Sequence, residues 1–135
     1  MNQPLFLSVA DVIRIHAGTI AEEGGLGGVR DYGLLVSAVM LPQQSFGGRL
    51  LHKDLPAMAA AYLFHIVRNH PFHDGNKRTG AMAAYVFLDA NGTDLTASPG
   101  ELERTVQAVA AGQLAKRELI EWMGKHTARR RPRRR

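Results

Sequence analysis

The run His70-Pro71-Phe72-His73-Asp74-Gly75-Asn76-Lys77-Arg78-Thr79-Gly80 stands between two apolar stretches, one from about Pro56 to Asn69 and one continuing to Ala90. The earlier stretch is apolar on nearly every face, through Ala57, Met58, Ala60, Ala61, Leu63, Phe64, Ile66 and Val67, and predicts a central helix opened by a first-turn proline. Pro71 ends it. Asn76 to Ala90 predicts a second helix, so Lys77 and Arg78 fall in its first turn. That end already carries positive dipole charge and unpaired N–H groups, where cations are unfavourable. Such a conflict is expected at functional sites, and a bound anion such as phosphate relieves it. An imidazole at His70, a carboxylate at Asp74 and a flexible Gly75 come just before it, with Phe72 as an apolar anchor. The loop reads as an active site.

Working outward, the chain predicts only helices. Ser8 with Asp11 resembles a capping box, and Val9, Val12, Ile13, His16 and Ile20 follow at helical spacing. Gly24, Gly25, Gly27 and Gly28 end that helix in a turn. Asp31 caps a short helix carrying Leu34, Leu35, Ala38 and Val39, stopped before Pro42. Residues 42–55 form a long loop around Phe46, Gly47 and Gly48, a candidate flap over the site and the one place where a short extended piece is expected. After the second apolar helix, Asn91-Gly92 is a left-handed stop. Ser98-Pro99-Gly100-Glu101 opens a fifth helix with Leu102, Val106, Val109 and Ala110. Leu119, Trp122 and Met123 mark a sixth. The expected architecture is an all-α, compact six-helix bundle without internal repeat or second domain.

Composition bounds the remainder. At 135 residues the chain has the size of one domain. It contains no cysteine, which excludes disulfides and permits a reducing cytoplasm. No charged segment precedes an apolar one at the start, and the run Leu55 to Val67 is too short to span a bilayer, so a cytoplasmic protein with no membrane contact is expected. The formal net charge is +5, but six of the 17 basic residues lie in 129–135, leaving 11 basic against 12 acidic in residues 1–128. The catalytic domain is therefore placed at 1–128, with 129–135 a disordered Arg-rich tail. Lacking interleaved aromatics, that tail is expected to make only weak, non-specific nucleic-acid contacts.

The motif His70 to Arg78 resembles that of the Fic/Doc family, and within it the Doc (death-on-curing) branch, because lysine stands at 77 where adenylylating Fic enzymes carry glycine. Arg30-Asp31-Tyr32-Gly33-Leu34-Leu35 with Ser37-Ala38, Pro42, Phe46-Gly47-Gly48, and Phe87-Leu88 with Asn91-Gly92 resemble the family's flanking segments. The resemblance covers roughly residues 5–125. It implies a compact helical fold and a toxin of a toxin–antitoxin pair, using ATP and Mg²⁺ to phosphorylate a translation factor, elongation factor Tu, on a hydroxyl. It also implies an antitoxin whose helix fills an apolar groove.

On this resemblance the roles are as follows. His70 is the general base, since an imidazole can take a hydroxyl proton at neutral pH. Asp74 holds Mg²⁺ or orients the imidazole; both assignments stand. Gly75, Asn76, Lys77 and Arg78 cradle phosphates, Arg78 through paired hydrogen bonds. Arg68 matches a basic position of the Doc branch and faces the nucleotide. A lysine at 77 fills space that glycine would leave for inner phosphates, and Ala81 replaces a second arginine of the adenylylating members; both favour kinase chemistry. Met82 replaces a polar amide. His16, His65 and His73 are taken as structural or solvent-exposed, and zinc is rejected because Pro71 breaks the helix that would align His70 with His73. Thr19-Ile20-Ala21-Glu22-Glu23-Gly24 fits the loose inhibitory motif of some Fic proteins, but so short a pattern arises often by chance, and inhibition by a separate antitoxin is expected. Two alternatives remain: a Fic-type protein adenylyltransferase, and a non-catalytic phosphate- or RNA-binding module.

Overall fold

A computed structural model describes residues 3–131. Helix α1 (Val9–Glu23) starts in a reciprocal capping box, in which the Ser8 hydroxyl accepts from Asp11 N–H at 3.0 Å and Asp11 accepts from Ser8 N–H at 2.8 Å. It buries Val12, His16 and Thr19, one stripe at helical spacing. Helix α2 (Tyr32–Met40) is capped by Asp31, and a short turn, Leu41–Gln43, follows at Pro42.

The 42–55 loop contains the expected extended piece, as a hairpin of β1 (Ser45–Phe46) and β2 (Arg49–Leu50). Its tip is Gly47-Gly48, both at positive φ (59° and 79°), as a tight two-residue turn requires. Phe46 is 81% exposed.

Helix α3 (Leu55–Asn69), capped by Asp54, is the hub: it packs against α2, α4 (Asn76–Ala90), α5 (Pro99–Ala110) and α6 (Lys116–Lys125). Nine of its residues are buried, which is why its sequence has almost no polar face. The core adds Leu35, Val39, Phe72, Phe87, Leu88, Val109, Leu119 and Met123, and Phe87 packs on Tyr62 with ring centres 5.2 Å apart. Gly80 sets the approach of α3 to α4: a Cβ there would lie 2.8 Å from Val67 Cγ2 and 3.2 Å from the Leu63 carbonyl oxygen.

Two sequence expectations need correction. Strands β3 (Thr93–Leu95) and β4 (Thr127–Arg129) pair antiparallel, Thr93 opposite Arg129 and Leu95 opposite Thr127. Three residues are too few to show period-two alternation. The domain boundary consequently does not fall at 128. Arg129 belongs to β4, and Arg130 donates its N–H to Gly92 O at 2.9 Å while its guanidinium meets Asp89 Oδ1 (3.0 Å) and Asp94 Oδ1 (3.2 Å). These two arginines close the fold. The expected disordered tail otherwise lies, for 132–135, outside the described residues. Among the described residues no helix is long and apolar enough to cross a membrane.

Candidate active site

Helix α3 ends at His70, whose N–H bonds Ile66 O at 3.2 Å and whose backbone is left-handed, φ 53° and ψ 53°. The chain from Pro71 to Gly75 then runs back to the start of α4, stitched along the segment that links α1 to α2. Pro71 O accepts from Arg30 N–H (2.7 Å) and Asp31 N–H (3.0 Å), Phe72 bridges Val29, and His73 N–H reaches Gly28 O at 3.4 Å. Phe72 is fully buried, as an anchor should be. His16 lies parallel to its ring, centres 3.8 Å apart, and its Nε2–H donates to Asp74 O at 2.8 Å. The structural reading of His16 holds: it clamps the motif loop.

Asp74 is oriented by the glycine turn, since Leu26 N–H donates to Asp74 Oδ2 at 2.7 Å. Gly25 allows that approach: its backbone sits at φ 113°, and a Cβ there would lie 3.3 Å from Asp74 Cβ. Asp74 makes no hydrogen bond to the His70 ring among the described residues, so of the two expected roles the orienting one has no contact behind it.

Gly75 is the N-cap of α4 at φ 78°, with Ile20, Thr19 and His16 crowding the place of a Cβ. Serine or aspartate side chains cap α1, α2, α3 and α5, whereas α4, like α6, has no N-cap side chain to accept from its first turn. The first turn of α4, Gly75 to Arg78, lines a cleft of about 890 Å³. Lys77 and Arg78 stand there on the exposed side of the helix. Lys77 makes no ion pair among the described residues. Arg78 pairs with Glu23, the last residue of α1. The glutamate of the Thr19–Gly24 pattern thus lies against the motif arginine.

Asn76 differs from expectation. Its side chain is 5% exposed and forms a reciprocal pair with the Phe72 peptide: Nδ2–H donates to Phe72 O and Oδ1 accepts Phe72 N–H, both at 3.0 Å. Its side chain closes the loop and is used up in doing so. Arg68 lies in the cleft wall, but its Nη1–H is engaged with Val109 O and Ala110 O (3.3 Å each), a cap on the last turn of α5. It thus joins the cleft by position while its hydrogen bonds go to the scaffold.

The cleft joins His70, His73, Asp74, Gly75, Asn76, Lys77, Arg78, Arg68 and Glu23 to a wall of α5 bearing Leu102, Glu103, Val106 and Gln107. None of Phe46, Gly47 and Gly48 lines it. Glu103 and Gln107 escaped sequence reasoning, and Arg30 was read only as part of a flanking segment. A glutamate four residues before a glutamine on an amphipathic helix looks like any solvated face. Among the described residues no three His, Cys, Asp or Glu side chains are grouped to hold a metal ion by themselves.

A strained histidine at a helix end, a loop locked by an asparagine and a helix start carrying Lys77 and Arg78 thus meet at one cleft. The chain belongs to the Fic/DOC family, whose model matches residues 6–88. Over 92 residues it is 47% identical to Toxin Doc of Mycolicibacterium smegmatis, an alignment covering 68% of each chain. It is 33% identical over 109 residues to the Protein kinase doc of Escherichia phage P1, covering 81% of this chain and 85% of that one. These relatives put it in the Doc branch of the family.

Proposed function

We propose that this chain is the toxin of a toxin–antitoxin pair and an ATP-dependent protein phosphotransferase, which moves the γ-phosphate to a serine or threonine hydroxyl of a translation factor, elongation factor Tu, and so inhibits translation. The observation that carries the reading is the convergence on one cleft of His70, the uncapped start of α4 and a Lys77 without an ion pair among the described residues. The names of the relatives, one a toxin and one a protein kinase, support it. In the reaction the target hydroxyl oxygen attacks the γ-phosphorus and its proton passes to the His70 imidazole. The bond from the γ-phosphorus to the bridging oxygen breaks, and ADP leaves with the electron pair. Backbone N–H groups of α4 and the Lys77 ammonium hold the transferred phosphoryl group.

Mg²⁺ suits this site as a companion of the nucleotide. Asp74 has one oxygen held by Leu26 and the other without a hydrogen bond among the described residues, and Mg²⁺ is commonly held by one or two carboxylates together with phosphates. Such an ion neutralises phosphate charge. Glu23 acts as a brake in this scheme, because phosphate must displace its carboxylate to engage Arg78. An apolar groove of about 500 Å³ between the N-terminal segment, α1 and α4, lined by Leu5, Phe6, Leu7, Ile15 and Val86, offers a seat for the antitoxin helix. The reading is tested by incubating the protein with elongation factor Tu, Mg²⁺ and ATP labelled at the γ- or the α-phosphate. γ-Label on the target, lost with His70→Ala, is the expected result. α-Label instead would establish an adenylyltransferase, and transfer of neither label to any lysate protein would leave a binding module.

A further inference from the structure

His70 is the one residue other than glycine at positive φ among the described residues. Two local rules oppose that conformation: a Cβ is crowded in the left-handed region, and a following proline pushes residue 70 toward extended backbone. Such strain persists where the surroundings impose it. Here the Arg30 side chain is one of those constraints, beside the Asp31 N–H on Pro71 O and the buried Phe72 ring. Arg30 donates Nε–H to His70 O at 2.7 Å and Nη2–H to Asn69 O at 3.1 Å, while its own N–H holds Pro71 O at 2.7 Å. Arg30 thereby engages three consecutive carbonyls, those of Asn69, His70 and Pro71, the last shared with Asp31 N–H. Arg30 forms no ion pair among the described residues, so its fork is spent entirely on the end of α3, where its charge also suits the helix dipole.

We propose that Arg30 is a positioning residue that holds His70 in the left-handed turn from which its imidazole enters the cleft. Without the fork, residue 70 relaxes toward the extended conformation that Pro71 favours, and the ring leaves its register with the start of α4. The kinetic consequence rests on the reading of His70 as base; the conformational one does not. Lysine at 30 offers a point charge able to reach one carbonyl and not the pair, so it restores part of the effect.

The test compares the full chain with Arg30→Ala and Arg30→Lys, each with and without guanidinium ion at tens of millimolar. Two readouts are used: the ¹³Cβ shift of labelled His70, assigned with His70→Ala, and γ-phosphate transfer in a bacterial lysate alongside ATP·Mg²⁺ affinity. In Arg30→Ala the shift should move from left-handed toward extended values and return with guanidinium. Transfer should fall roughly 10- to 100-fold, as a displaced catalytic group does, with ATP affinity unchanged within about twofold. Arg30→Lys should lie between. An unmoved Cβ shift overturns the inference whatever chemistry His70 performs. So does a loss of transfer that guanidinium does not restore and that tracks a fall in ATP affinity, since that marks a fold defect. If His70→Ala keeps the parent rate while the shift responds as expected, the base reading fails and the positioning stands.

Discussion

Gly80→Ala is expected to destabilise this protein although it replaces glycine in mid-helix. On propensity alone the change should help by about 1 kcal/mol, because alanine loses less backbone entropy. The geometry opposes it. The new Cβ would sit 2.8 Å from Val67 Cγ2 and 3.2 Å from Leu63 O, and Val67 is 5% exposed. Valine in a helix has essentially one rotamer, so it cannot swing aside, and Leu63 O is backbone. Relief requires moving α4 off α3, an overpacking cost of about 1–3 kcal/mol, for a net loss of roughly 0–2 kcal/mol. Gly18→Ala supplies the control, since nothing lies within 4 Å of a Cβ there. It should stabilise by about 0.5–1 kcal/mol. Urea denaturation of the two variants should therefore separate them by roughly 1–3 kcal/mol, and adding Val67→Ala should cost less in the Gly80→Ala background than alone. If Gly80→Ala stabilises as much as Gly18→Ala, α3 and α4 do not meet at this glycine and the account of their packing is wrong.

Other outcomes follow from the same contacts. Asn76→Ala strands the buried Phe72 N–H and C=O and should cost about 2–4 kcal/mol in denaturant melts, whereas Lys77→Ala should leave the midpoint unchanged. Glu23→Ala releases Arg78 and should tighten ATP binding measured by calorimetry several-fold; unchanged affinity would remove Glu23 as a brake. Burial, then the neighbouring Lys116 and His52, hold His65 down at about 4, so the unfolded chain binds a proton that the folded one refuses. Stability is full above about pH 6.5 and should fall by roughly 1–2 kcal/mol toward pH 4, with allowance for the ring's partial exposure, and His65→Leu should flatten that slope. Arg130→Ala breaks two exposed ion pairs and should cost about 0.5–1 kcal/mol, an effect that 1 M salt weakens.

What the sequence determined by itself is local. Ser8, Asp31 and Ser98 announce helix starts because a cap is a contact across three residues, and α1 to α6 appear where those caps, the first-turn Pro56 and the apolar spacing put them. The anion-seeking end of α4 was legible for the same reason: Lys77 and Arg78 conflict with a dipole made by their own helix. Tertiary structure alone decided where the side chains of that motif point. Asn76 turns inward to Phe72, Arg68 reaches α5, Glu23 meets Arg78, and Arg30 crosses 40 positions to hold His70. The pairing of Thr93–Leu95 with Thr127–Arg129, which draws Arg130 into the fold, is of the same kind. A side chain's chemistry is written at its own position, but its partner is chosen by the packing of elements distant in the chain, and a rotation of one residue about a helix turns a phosphate ligand into a loop clasp.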